Sequence, residues 1–390
     1  MQPPANPHRT RLGHHVGSVA GGETVRAFVP PPLPPVPPIA MGPLLRLLSA
    51  ADQAIGRLDG IATLLPSHEL FLYMYIRKEA VLSSQIEGTQ STLTDLLQFE
   101  AAARAGTPFD DISEVSNYVG AMQHGLARLA DLPLSLRLIR EMHAKLLQGG
   151  RGGTKDPGEF RRSQNWIGGT RPGNALFVPP PPDRVMACLG ALEAFIHEEA
   201  SGLPPLVKAG LLHVQFETIH PFLDGNGRIG RLLVTLYLCA EGVLRQPLLY
   251  LSLFLKAHRA EYYRLLQEVR AHGAWEAWLE FFLRGVAETA NQAFQAATRI
   301  TALFQQDRAR LADRGGSVLR IQELMQRHPY ASSAMLAGAS GLTAPTVNAA
   351  LEDLRARGIV HEVTGRRRGR VFAYSAYLAI LSEGTDPLPR

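Results

Sequence analysis

Cysteine is nearly absent from this chain. Only Cys188 and Cys239 occur in 390 residues, with no paired spacing. That excludes a disulfide scaffold or a cysteine zinc site and suits a reducing cytoplasm. No run of about 18 apolar residues is present, so neither a membrane-spanning helix nor a membrane partner is expected. The opening "MQPPANPHRTRLGHHVG" lacks the apolar segment of a secretory signal. Charge is modest: 19% charged residues, a net charge of +5 and a pI near 9.3. This balance is compatible with polyanionic ligands without specifying one. No internal repeat is visible. Apolar content is 46%, enough for a real core, and the length suits two or three domains.

Along the chain, residues 1–26 are polar and Gly-rich and are expected to form a poorly ordered tail. Residues 27–43 hold "AFVPPPLPPVPPIA", too rich in proline for a helix and suited to polyproline II. The segment reads as a strap on the domain surface or as a ligand for a partner's aromatic groove. Residues 44–130 follow helical periodicity, with one helix opened by a Ser113 cap. Residues 131–295 carry further helices, interrupted by a Gly/Pro-rich loop with a short hairpin expected around Asn165 to Val178. Trp275, Trp278, Phe281 and Phe282 have the spacing of a core face. Residues 296–310 read as a helical linker, and 311–390 as a separate domain.

Two stretches carry chemistry. "HPFLDGNGRIGR", His220 to Arg231, is a Gly-rich loop between two apolar helical runs. A loop feeding a helix N-terminus offers free amides and a positive dipole end, which suits an anion. Gly225 and Gly227 permit close backbone approach to a phosphate, and Asn226 has an amide to donate. Asp224 is a hard oxygen ligand suited to Mg²⁺. Arg228 and Arg231 share a helix face, and His220 titrates near neutrality and can act as a base. Together these residues point to transfer of a phosphate-containing group from a nucleotide. A buried helix–helix turn with structural hydrogen bonds is the alternative. The second stretch, "VLSSQIEGTQ", places Glu87 at the end of a helix beginning near His68 and stopping at Gly88. A carboxylate at a helix's carbonyl end is disfavoured by ~0.3–1 kcal/mol. Glu87 is therefore either solvated or paired with a cation elsewhere. Ser83 lies one turn earlier on the same face.

The 220–231 stretch closely resembles the Fic family of protein adenylyltransferases, whose motif H-x-F-x-[D/E]-G-N-G-R-x-x-R is met at His220, Phe222, Asp224, Gly225, Asn226, Gly227, Arg228 and Arg231. The resemblance implies ATP and Mg²⁺ as nucleotide and metal, with AMP passed to a Tyr, Thr or Ser hydroxyl of a target protein. It implies His220 as general base, Asp224 as metal ligand, residues 225–228 as anion hole and Arg231 as the γ-phosphate ligand. The Gly-Asn-Gly match favours AMP transfer over phosphate transfer. "SQIEG", read from Ser83, is similar to the family's inhibitory motif [S/T]-x-x-x-E-[G/N]. By that likeness Glu87 pairs with Arg231 and occupies the γ-phosphate position. Some relatives also use this glutamate in removing AMP. The loop around Ile167 and Gly168 resembles the family's flap, which aligns the target chain. Tyr262 and Tyr263 resemble a tyrosine pair bordering adenine, or else one is core and the other surface. The likeness runs over roughly residues 27–300, with 44–130 as the N-terminal helical region carrying the inhibitory helix and 131–295 as the catalytic domain. It is compatible with a homodimer without fixing one.

Residues 311–390 read as helix, turn, helix and two strands, a winged-helix pattern. Thr343 is the expected cap of the second helix, and Val347, Ala350, Leu351 and Leu354 its apolar face. Arg366, Arg367, Arg368 and Arg370 lie on the wing and are candidate DNA contacts. Packing or protein binding is the alternative, favoured by Glu352 and Asp353 on the candidate recognition helix. The expected fold is thus mainly α: a Fic-type helical domain with a short flap hairpin, plus a small C-terminal winged helix-turn-helix domain. The expected function is an autoinhibited, cytoplasmic protein adenylyltransferase. A bifunctional enzyme that also removes AMP, and a nucleotide-sensing DNA-binding regulator, are the alternatives.

Overall fold

A computed structural model describes residues 11–62, 68–102, 110–149, 152–365 and 369–388. The described chain opens with an antiparallel hairpin, β1 (His14–Ala20) and β2 (Glu23–Val29). Most of the stretch expected to be a disordered tail is therefore ordered. The register pairs Ala20 with Glu23 and leaves Gly21-Gly22 as a two-residue turn with φ of +53 and +81. Two positive φ angles are what a tight hairpin turn requires, and a Gly-Gly pair supplies them without a Cβ clash. Ala20, Val25 and Ala27 pack against Val178, which adds the apolar face the hairpin cannot build alone. The proline segment then crosses the surface as a strap. Leu33 and Ile39 are buried in the main core, and Gln215 Nε2 donates to the Pro31 carbonyl at 2.7 Å.

Five helices follow: α1 (Met41–Ala62), α2 (His68–Ile86), α3 (Leu93–Ala102), α4 (Asp110–Arg128) and α5 (Leu136–Leu146). Helix α4 starts at Asp110, so Ser113 lies inside it and is not its cap. Ser135 does cap α5, accepting from Leu138 N. Within the Gly/Pro-rich loop, the expected hairpin is reduced to one antiparallel bridge, Ile167 with Phe177, around a 3₁₀ turn at Pro172–Asn174. Phe28 N donates to Val178 O at 2.8 Å, so β2 lies alongside the flap.

Helices α6 (Pro182–His197), α7 (Pro205–Ile219) and α8 (Asn226–Ala240) come next. Every residue from Leu206 to Ile219 is buried, which makes α7 the central helix. Then come α9 (Ser252–Ala257), α10 (Arg259–His272) and the 36-residue α11 (Trp275–Arg310), which packs along α1. Trp275, Trp278, Phe281 and Phe282 are all buried, as their spacing predicts.

The C-terminal unit is α12 (Gly316–Arg327), β3 (Tyr330–Ser332), α13 (Ser333–Ser340), α14 (Ala344–Ala356), β4 (His361–Glu362), β5 (Val371–Ala373) and α15 (Ser375–Ser382). Its sheet is antiparallel with order β3-β5-β4. Thr343 caps α14, and Val347, Ala350, Leu351 and Leu354 are buried, as read from the sequence. Helix α12, strand β3 and helix α15 lie outside the expected helix, turn, helix and two strands. Arg366, Arg367 and Arg368 lie outside the described residues. Arg370 donates to Glu352 Oε1 at 2.5 Å, so its guanidinium is held against α14. This unit shares one continuous core with the rest: Leu336, Leu351 and Tyr377 belong to the same cluster as Phe216 and Leu232. Its last turn also clasps α2. Gln85 Nε2 donates to Thr385 O at 2.8 Å, and Lys256 Nζ to Gly384 O at 2.9 Å and Gln85 Oε1 at 2.8 Å. Among the described residues no helix is long and apolar enough to cross a membrane.

Candidate functional site

The site forms where central helix α7 ends and α8 begins. His220 terminates α7 with φ +49, a left-handed conformation unusual for a residue with a Cβ. It reverses the chain into the loop, and Gly225 then caps α8. Ile229 N is the first α8 amide to bond back, to Gly225 O, which leaves the amides of 226–228 without intrahelical acceptors. Burial holds the His220 imidazole neutral, aided by the Arg270 and Arg161 charges, and its pKa falls to about 3.

One turn into α8, Arg231 is 3% exposed and points towards the end of α2. Its Nε donates to Ser83 Oγ at 2.9 Å, and its Nη2 to Ser83 O at 2.9 Å and Glu87 Oε1 at 2.7 Å. Burial opposes ionisation of Glu87, but the Arg231 charge outweighs it, and the carboxyl stays below the ordinary carboxylate value. Glu87 therefore has a cationic partner 144 residues away in sequence. Its carboxylate lies over the α8 N-terminus: a Cβ placed on Gly227 would come within 2.3 Å of Glu87 Oε1. Only a residue without a side chain allows that approach. Arg228 is 5% exposed and bridges Glu114 at 3.4 Å and Asp224 at 3.5 Å. Asp224 is 41% exposed, and its Oδ1 accepts from Gly225 N while Oδ2 carries no hydrogen bond among the described residues. A half-exposed carboxylate beside free helix amides and a buried arginine fits a magnesium–triphosphate group.

Other residues hold this frame and were not visible in the sequence. His143, from α5, stacks on Phe222 with centroids 3.6 Å apart. Its Nδ1 accepts from Gly158 N at 2.8 Å, so Nε2 carries the proton and donates to Asp224 O at 3.0 Å. Arg161 ties the flap to the loop, donating to the carbonyls of His220 at 2.9 Å and Pro180 at 2.5 Å. Asn226, expected to donate to an anion, spends its amide elsewhere. Its Oδ1 accepts from Phe222 N and its Nδ2 donates to Phe222 O, both at 2.8 Å, and it is 2% exposed. It fixes the loop while the backbone faces the cleft. Of the tyrosine pair, one is core and the other surface, the alternative left open by the sequence. Tyr262 is buried and donates to His213 Nε2 at 2.8 Å, because His213 Nδ1–H is committed to Gly230 O at 3.0 Å. Tyr263 alone of the pair is exposed, at 41%, with its ring 5.0 Å from that of Tyr262. Ile167 is half-buried in the flap bridge and Gly168 is exposed beside it.

Beneath the site, Glu217 is buried and its Oε1 has no hydrogen-bond partner among the described residues. Burial pushes its pKa up to about 7, against the pull of Arg231. The folded state thus binds a proton that the unfolded chain, titrating near 4.5, has released. The resulting stability is full below about 4.5 and lost as pH rises through about 7. Glu217→Gln, which mimics the protonated acid, is expected to leave stability unchanged at pH 5 and to raise it at pH 8. Urea midpoints at the two pH values measure this.

Residues 45–127 match the Fic/DOC family N-terminal model, and residues 133–238 match the Fic/DOC family model. The protein adenylyltransferase Fic of Drosophila grimshawi is 32% identical over 189 residues, covering 47% of this chain and 35% of that protein. Its namesake from Drosophila virilis is 33% identical over the same length, again 47% of this chain and 35% of the relative. The chain spans about a third of the length of the curated relatives it matches. A Fic family protein from Desulfovibrio desulfuricans G20 shares the fold with a TM-score of 0.56 at 20% identity, over 87% of this chain and 97% of its own. A Fic domain containing signaling protein from Bacteroides thetaiotaomicron VPI-5482 gives 0.51 at 20% identity, over 64% of this chain and 97% of its own. Over residues 45–127 and 133–238, this chain is similar to the Fic/DOC family.

Proposed function

We propose that the protein is an adenylyltransferase that passes AMP from ATP to a hydroxyl of a target protein and is held inactive by Glu87. The observation that carries the reading is the buried Arg231, gripped by Glu87 directly over the free amides of α8, with Glu87 within electrostatic reach of His220. The amides of 226–228 bind phosphate oxygens, and Arg231 takes the γ-phosphate once Glu87 yields. Asp224 holds the magnesium, which neutralises phosphate charge when bound. The neutral imidazole of His220 takes the proton of the attacking hydroxyl. That oxygen bonds to the α-phosphorus, the bond to the β-phosphate oxygen breaks, and pyrophosphate leaves. The triphosphate's negative charge offsets the Arg270 and Arg161 charges that depress His220 in the unliganded site. The flap, braced by Arg161 and β2, aligns the target chain by strand pairing along its free edge next to Ile167, whose own N–H and C=O are taken by Phe177. Residues 311–390 are read as a winged helix whose described part docks on the inhibitory helix.

The test is the fate of label from ATP in a Glu87→Gly background. Label in the α-phosphate is expected on protein, with pyrophosphate released. Transfer of γ-label would assign a kinase instead.

A further inference from the structure

Behind the inhibitory helix lies a cavity that this chemistry does not use. It measures about 380 Å³ and is walled by α2, α9, α11 and the chain just past α15. Its floor holds Lys78, which is 4% exposed and comes from α2. The ammonium makes no hydrogen bond or ion pair with any described residue. The face of Tyr250 lies beside it, with the ring centroid 4.6 Å away, and the Glu383 carboxylate acts on it through space, opposed by Lys256. A buried charge is ordinarily paired, and an aromatic face compensates only part of the lost hydration. Burial brings its pKa down to about 8, so the group remains mostly charged at neutral pH. The wall supplies neutral polar groups at Gln292 and Gln295, and apolar surface at Tyr250 and Phe254. Arg299 at the rim is already neutralised by Glu383 at 2.8 Å. Glu288, also exposed at the rim, is the wall's one acid without an ion pair among the described residues.

We propose that this cavity is a second binding site, taking a small oxyanion-bearing ligand whose carboxylate or phosphate pairs with Lys78. Neither Arg231 nor the α8 amides line it, and the proposal stands apart from the adenylyltransferase reading. Lys78 lies on the same helix as Glu87, so an occupant bears on the element that holds Arg231.

The chain has only five lysines: Lys78, Lys145, Lys155, Lys208 and Lys256. Full-length protein carrying ¹³C at lysine Cε therefore gives five signals, with Lys78→Met, or Lys78→Arg should that variant not fold, assigning one of them. Inorganic phosphate and acetate are titrated separately at pH 7 and constant ionic strength, with chloride as balance. A saturable shift of the Lys78 signal with either oxyanion is expected, and the more potent of the two identifies the ligand's acid group. The α8 site does not border this cavity, so an anion bound there leaves the Lys78 signal in place. Glu288→Gln, on the exposed rim, is expected to tighten binding about two- to fivefold by removing a like charge. A Lys78 signal that ignores both anions, or that moves in step with the other four, overturns the site.

Discussion

Glu87→Gly transfers AMP about 10- to 100-fold faster than the wild type when both are given magnesium, ATP and a cell lysate as target source. The carboxylate and the γ-phosphate compete for one guanidinium. Arg231 cannot turn away, since its Nε and Nη2 are fixed on Ser83 at 2.9 Å. A hydrogen bond to a charged group contributes roughly 1.5–3 kcal/mol, and each 1.4 kcal/mol is tenfold in occupancy. Glu87 is 37% exposed, so solvent screening places the effect toward the lower part of that span. Removing the carboxylate also leaves Arg231 buried without its anion, and the γ-phosphate restores the pair. Glu87→Gln keeps a hydrogen-bonding oxygen without the charge and is expected to fall between the two. Initial rates of α-label incorporation measure all three. Equal rates would mean that the pair is structural.

His220→Ala, built on Glu87→Gly, loses about 10²- to 10⁴-fold in transfer rate while retaining nucleotide binding. The separation follows from where the side chain sits. The anion-binding amides belong to residues 226–228, and the loop is held by Asn226, His143 and Arg161 rather than by the imidazole. The His220 contacts that shape the loop are made by its backbone: its carbonyl accepts from Arg161 and its amide donates to Phe216 O at 2.9 Å. Alanine keeps both. Nucleotide affinity by calorimetry, set beside the single-turnover rate, checks the prediction. A matching loss of affinity would move His220 from base to binding group.

The candidate loop is legible because its groups are contiguous: a histidine, an acid, three glycines and two arginines within twelve residues can be assembled only at one helix start. The partner of Glu87 was legible for another reason. Position at a helix end showed that the acid needed a cation, but only the likeness to a known motif selected Arg231 among many arginines. His143 and Arg161 were opaque because their roles are set by tertiary approach. One is an ordinary residue on an amphipathic helix, and the other an arginine in a glycine-rich loop. Asn226 departs from expectation for a related reason: residue type announces hydrogen-bonding capacity, whereas burial decides who uses it. The hairpin at 14–29 is masked by its polar composition, although its Gly-Gly turn sits between segments carrying Val and Thr.

The central claim is that one guanidinium, Arg231, is held by Glu87 until a triphosphate takes it. The most direct test is intact mass after incubation with magnesium and ATP, comparing wild type, Glu87→Gly and Glu87→Gly/His220→Ala. The account predicts that Glu87→Gly gains the mass of AMP on itself, that wild type gains little and that the double variant gains none. Glu87→Gly that binds ATP yet adds AMP neither to itself nor to any protein of a lysate would contradict it.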